Sequence, residues 1–194
     1  MTGRPGSGRP RFTDAPSPRG FLMLEHDIPA AAEFLLQRQT TSAASTAHLG
    51  ARAAQLLQGG ESLLLYGPLG IGKTCFVQGL CRGLGVREEV ISPTFSLVHR
   101  YSGRLVVHHL DFYRLGPRDD LTDIGVEEVL DEVADGAAVL VAEWPERLAP
   151  LLPTRLEWLA LPGPRPQDRI WHLRGIPELP APWREFFAVE GDAC

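Results

Sequence analysis

Residues 62–76, SLLLYGPLGIGKTCF, leave few architectures open. The run Ser62–Tyr66 is short, continuously apolar and bounded by turn residues, the pattern of a strand covered on both faces. Gly67 to Thr74 spells G-x-x-x-x-G-K-T. Beyond it Phe76, Val77, Leu80 and Leu84 recur with a helical period, predicting a helix from Lys73 to Leu84. A buried strand that feeds a glycine loop and then a helix implies an α/β fold with a partly parallel sheet.

The loop has a chemical reading. A phosphate is a compact anion with several oxygens, so holding it takes several N–H donors converging on one point. Successive amides of a glycine loop make such a nest, and the following helix adds the positive end of its dipole. Gly67, Gly70 and Gly72 permit the tight turn and keep side chains off the ligand. Pro68, Leu69, Ile71 and Cys75 complete the segment expected against a nucleotide. Lys73 is the only lysine among nineteen lysine and arginine residues. A slim ammonium can thread into the loop and touch the terminal phosphates, where a planar guanidinium is too wide. Thr74 would give its hydroxyl to Mg²⁺. The expected ligands are therefore ATP or ADP with Mg²⁺.

At 194 residues, with 44% hydrophobic and 22% charged side chains, the chain suits one soluble domain with short extensions. It has no apolar run of transmembrane length and no apolar segment of a secretory signal, so no membrane association and a cytoplasmic location are expected. Cys75, Cys81 and Cys194 make no metal-ligand spacing and read as free thiols in a reducing compartment. The net charge of −5 argues against a surface built to hold a nucleic-acid backbone by itself. RNA, if involved, is expected to be handled by a partner.

Residues 1–31 read as a disordered or weakly ordered leader, within which FLMLEHD (21–27) could form a short strand. Residues 32–175 are the expected nucleotide-binding domain, and 176–194 a Pro-rich C-terminal tail with one apolar patch, WREFF. Within the domain, EFLLQRQ (33–39) reads as a strand. A helix is expected from about Thr46, capped by Ser45 or Thr46 and ended by QGG at 58–60. TFSLVHRY and RLVVHHLD flank a turn and predict a hairpin over 94–111. A helical pattern covers 119–134, AVLVAE (138–143) reads as a second buried strand, and 155–161 with 169–174 as another hairpin. Gly79 and Gly83, four apart, would let the second helix lie close to a neighbour.

Asp111 closes the strand LVVHHLD and Glu143 closes AVLVAE. Ligands in α/β sheets lie beyond the carboxyl ends of parallel strands, so acids there, beside a phosphate loop, are candidate partners of Mg²⁺. Spacing alone does not separate metal ligand from catalytic acid. Each acid could instead cap its strand or pair with an arginine. Thr94, in SPTF, falls where switch segments sense the γ-phosphate. His109 reads more readily as a packed histidine than as a catalyst. Tyr113 and Arg114 follow Asp111 within reach of nucleotide or partner, and Trp144 suits the site edge and the core equally.

A GTPase of the Ras type needs an N-K-x-D base reader, which a chain with one lysine cannot hold, and large motor ATPases need more chain. The segments GPLGIGKT, FVQGLCRGLG, SPTFSLVHRY, HLDFYRL and EWPERL, in this order, resemble the TsaE (YjeE) family, bacterial ATPases required for threonylcarbamoyladenosine modification of tRNA. The resemblance runs from about residue 33 to 174 and includes the opening helix STAHLGARAAQLLQGG. Pro68 stands where the family usually has an acid and Cys75 where it often has Thr. The resemblance implies a three-layer P-loop NTPase-like sandwich: a central, partly parallel sheet with antiparallel hairpins at its sides. It assigns Glu143 to Mg²⁺ with Thr74, and Asp111, with Lys73, to the catalytic machinery beside the metal. It puts Thr46 and Arg169 near the nucleoside. It also implies TsaB and TsaD as partners, with tRNA engaged only indirectly, and ATP hydrolysis that resets the partner pair. A small-molecule kinase and a nucleotide-gated interaction module with negligible turnover are the other readings.

Overall fold

The computed structural model describes residues 29–115, 119–121 and 124–188. Its strands are β1 (Leu36–Thr40), β2 (Ser62–Tyr66), β3 (Val98–Ser102), β4 (Val106–Asp111), β5 (Ala138–Glu143), β6 (Arg155–Pro162) and β7 (Arg169–Ile176). Its helices are α1 (Ala43–Ala53), α2 (Lys73–Gly83), α3 (Val126–Ala134) and α4 (Ala181–Ala188). The strands form one sheet in the order β1-β7-β6-β2-β5-β4-β3. Its centre is parallel, β6 with β2, β2 with β5 and β5 with β4, while β3, β7 and β1 are added antiparallel at the sides. This is the three-layer, partly parallel α/β architecture expected of the sequence. Among the described residues no helix is long and apolar enough to cross a membrane.

All five β2 residues and all six of β5 are buried, because both faces of the central sheet are covered. One face packs Leu63, Leu65, Val139, Val141 and Trp158 against α1, α2 and α4; the other packs Leu64, Leu140, Ala142 and Leu159 against α3 and the 148–152 turn. A continuous apolar run is the sequence signature of such a two-sided strand. Phe76 of α2 sits 4.8 Å from the Trp158 ring and 5.1 Å from that of Trp171, which anchors the helix following the glycine loop to the sheet beneath it. On its outer side α2 meets α1 almost backbone to backbone. A Cβ on Gly79 would stand 1.9 Å from the Ala47 carbonyl oxygen, and one on Gly83 2.5 Å from that of Ala51.

Several boundaries differ from the sequence reading. Helix α1 starts at Ala43, capped by Ser42 rather than by Ser45 or Thr46: Ser42 Oγ accepts the Ser45 N–H and Ser45 Oγ accepts the Ser42 N–H. Two serines three apart close a reciprocal box, and the first of them is then the cap. The helix ends at Ala53 in a 3₁₀ turn over Ala54–Leu56, ahead of the QGG stop. Strand β1 begins at Leu36, and Glu33 belongs to a preceding 3₁₀ turn, Ala31–Glu33. Helix α3 starts at Val126 behind a left-handed Gly125, although Leu121 already packs in the same core. Residues 181–188, read as part of a tail, form α4 and bury Trp183, Phe186 and Phe187 against β1 and Trp158, on the face of the sheet that α1 and α2 also cover. Three large aromatics can cover apolar surface that α1 and α2 leave open, whereas local composition reports only the prolines around them. The leader with FLMLEHD, residues 1–28, lies outside the described residues, as do 116–118 and 122–123 of the segment after Arg114, and Cys194.

Candidate nucleotide-binding site

Strand register builds the site. Leu65 of β2 pairs with Glu143 of β5, and Glu143 pairs with Asp111 of β4, so the two acids and the exit of β2 form one row at the carboxyl ends of three parallel strands. The glycine loop leaves this row at Gly67, whose φ of 134° and approach to the Ala160 carbonyl exclude any side chain: a Cβ would lie 2.4 Å from that oxygen. Gly72, at φ 109°, turns the chain into α2. An open cleft of about 340 Å³ results, lined by the loop from Leu69 to Thr74, by Ser92 and Thr94, by Asp111 and Tyr113, and by Glu143 and Trp144.

Lys73 is 4% exposed and folded back onto the loop. Its Nζ donates to the carbonyls of Gly67, 2.7 Å, and Pro68, 3.1 Å, and lies 3.8 Å from the centre of the Trp144 ring. Burial pushes its pKa down to about 8, against the opposing pull of the Glu143, Asp111 and Glu146 carboxylates. Trp144 itself holds φ at 55°, in the left-handed region, a conformation that costs a non-glycine residue on the order of 1–3 kcal/mol. Its ring also packs 5.1 Å from that of Tyr113. Trp144 therefore belongs to the site edge and not to the core alone.

Glu143 Oε1 accepts from the Thr74 hydroxyl at 2.8 Å and lies 3.1 Å from His109 Nε2. Both Glu143 and Asp111 are 3% exposed. Asp111 Oδ2 accepts from Ser92 Oγ at 2.5 Å and Thr94 Oγ1 at 2.9 Å, and Oδ1 accepts the Tyr113 N–H at 3.0 Å. Buried carboxylates are stable only where such donors replace lost water. Among the described residues neither acid pairs with an arginine, and each lines the cleft.

The remaining expected residues stand around the loop and not in the cleft. Cys75 Sγ donates to the Ala43 carbonyl. Thr46 is buried, shares a 2.8 Å hydroxyl contact with Thr40, and sits beneath Gly72. Arg169 reaches the loop from outside, its Nε donating to the Ile71 carbonyl at 2.7 Å. Ser92 escaped the sequence reading, since its partner lies nineteen positions away on another element. His109, read as packed, is fully buried, yet its imidazole is turned to Glu143.

A partly parallel sheet whose buried strand β2 opens through this glycine loop into α2, with acids at the ends of the adjoining strands, defines a P-loop nucleotide-binding protein. The family model described as "Threonylcarbamoyl adenosine biosynthesis protein TsaE" matches residues 40–166, and the chain belongs to the TsaE family. A tRNA threonylcarbamoyladenosine biosynthesis protein TsaE from Treponema pallidum is 47% identical over 112 residues, 58% of this chain and 80% of that one. The protein of the same name from Nostoc sp. is 40% identical over 105 residues, 54% of this chain and 64% of that one. Among solved structures, Bacillus subtilis YdiB is similar with a TM-score of 0.60 and 25% identity, over 78% of this chain and 90% of that one.

Proposed function

We propose that this chain is a Mg²⁺-dependent ATPase acting in tRNA threonylcarbamoyladenosine biosynthesis, resetting a TsaB–TsaD pair by ATP hydrolysis. The observation that carries the reading is the shared register of Asp111 and Glu143 beside Lys73 and Thr74. Loop amides from Leu69 to Cys75 would cradle the phosphates, and Lys73 would leave its two carbonyl partners for the terminal phosphate oxygens.

The donor set fits Mg²⁺. A hydroxyl and a carboxylate, Thr74 and Glu143, meet at one point, with Asp111 beside them, and hard oxygens are what this cation selects. Among the described residues no cluster of three or more His, Cys, Asp or Glu could hold a metal by itself, which suits a cation shared between one or two protein oxygens, phosphate and water. Thr74 and Glu143 would hold Mg²⁺, which when bound neutralises charge on the phosphoryl oxygens. Asp111 holds Ser92 and Thr94 at the cleft; there the Thr94 hydroxyl would sense the γ-phosphate and the Asp111 carboxylate would orient the attacking water.

Partner dependence has its own support. Leu69 lines the cleft, and Ile91 and Phe95 flank the cleft residues Ser92 and Thr94 in the chain; all three are large apolar side chains left exposed, which a second protein would cover. Steady-state phosphate release measured alone, with tRNA, with the TsaB–TsaD pair, and with both tests the reading. Weak turnover alone and a rise with the pair, on the order of 10³-fold when a partner completes such a site, are expected, with little change from tRNA alone. Glu143→Ala and Asp111→Ala should bind ATP and hydrolyse it poorly. Strong stimulation by tRNA alone, or stoichiometric phosphorylation of a small hydroxyl compound, would replace this reading with an RNA-activated ATPase or a kinase.

A further inference from the structure

Arg169 opens β7, on the far side of β6 from the strand that carries the loop. Its guanidinium is committed to three main-chain carbonyls: Nε donates to Ile71, and Nη1 donates to Pro166 and Asp168, all at 2.7 Å. Two of these acceptors lie in the β6–β7 turn. That turn is pinned by Asp168, 1% exposed, whose carboxylate takes Gln39 Nε2 and Arg165 Nε and whose carbonyl takes the Gly163 N–H. The third acceptor is in the glycine loop. Arg169 is thus a strut from a rigid hairpin to one peptide group of the phosphate loop, and it does not line the cleft.

The peptide it holds matters. In a trans peptide the C=O and the following N–H point in opposite directions. Fixing the Ile71 carbonyl towards Arg169 turns the Gly72 N–H away from Arg169, and Gly72 lines the cleft. Gly72 adopts φ 109° and has no side chain to limit its own rotation, so without an external bond this peptide could flip. Thr46, packed beneath Gly72, closes the same corner but offers it no hydrogen bond.

We infer that Arg169 is a positioning residue for the phosphate cradle, acting through the Ile71 carbonyl to aim the Gly72 amide. This rests on the reading of the loop as a nucleotide site, and it deepens that reading. The consequence is a signature that a nucleoside contact cannot produce. Arg169→Ala should weaken pyrophosphate and ADP by the same factor, about tenfold for loss of one charge-assisted bond to the loop. Unliganded Arg169→Ala should also show faster amide exchange in residues 70–73, with the rest of the sheet unchanged. Arg169→Lys, which keeps a donor that can reach one carbonyl but loses the fork, should fall between wild type and Ala in both readouts.

Calorimetry with pyrophosphate and with ADP, together with hydrogen exchange on the free protein, decides the matter. Weakened ADP with unchanged pyrophosphate would make Arg169 a nucleoside contact and overturn the inference. Unchanged binding of both ligands with unchanged exchange would overturn it as well. Wild-type protein that binds neither ligand would instead remove the nucleotide reading, and the exchange data would still report whether the strut holds the loop. Should the Ala variant fail to fold, the Lys variant carries the same comparison.

Discussion

In the free protein the Lys73 ammonium is occupied by the carbonyls of Gly67 and Pro68 and by the face of Trp144, deep enough that burial lowers its pKa to about 8. The side chain that makes these contacts is 4% exposed, enclosed between the loop and the Trp144 ring. A guanidinium carries the same charge but is a flat plate with five donors, and the loop offers two carbonyls. Lys73→Arg should therefore lose nucleotide affinity by on the order of 100-fold, close to the loss in Lys73→Ala, because the charge cannot be delivered. Fluorescent-nucleotide titration checks this, and near-normal affinity in the Arg variant would refute the steric account. Lys73 was legible in the sequence because a single lysine among arginines needs a reason. Ser92 was not, because a hydroxyl that serves a distant carboxylate leaves no local mark.

Helix α2 must do two things: present its N-terminus to the cleft and seat Phe76 on Trp158 and Trp171. The second fixes its depth, and Gly79 fixes its distance from α1. Helix propensity alone says that Gly79→Ala gains about 1 kcal/mol. The 1.9 Å approach to the Ala47 carbonyl says the opposite: backbone cannot yield like a side-chain tip, so the helices must separate. A net loss of about 1–3 kcal/mol is expected, the usual cost of overpacking. Chemical denaturation of the variant reads the sign directly, and a more stable protein would mean that α1 shifts freely. The glycine pair spaced four apart was visible in the sequence, but its partner helix was not.

For the molecule as a whole, α4 is the element that sequence reading placed worst. It contributes Trp183, Phe186 and Phe187 to the core shared by α1, α2 and the sheet, with Trp183 6.0 Å and Phe187 5.4 Å from the Trp158 ring. Trp183→Ala should cost about 3 kcal/mol, and a chain ending at Ile176 more, each seen as a drop in thermal midpoint of roughly 10 °C or greater. An unchanged midpoint on truncation would show that α4 merely rests on the surface.

Some properties of this protein were determined by sequence alone. They are the βα unit around the glycine loop, the buried strands and their terminal acids, and the two outer hairpins. These rest on interactions between near neighbours, or on burial so complete that composition records it. Others were decided only by tertiary structure. They include the register that sets Asp111 against Glu143, the strut from Arg169 to Ile71, the anchoring of Ser92 and Thr94, and the seat of α4. Each of these joins residues far apart in the chain, and a contact of that kind exists only once the sheet has brought them together.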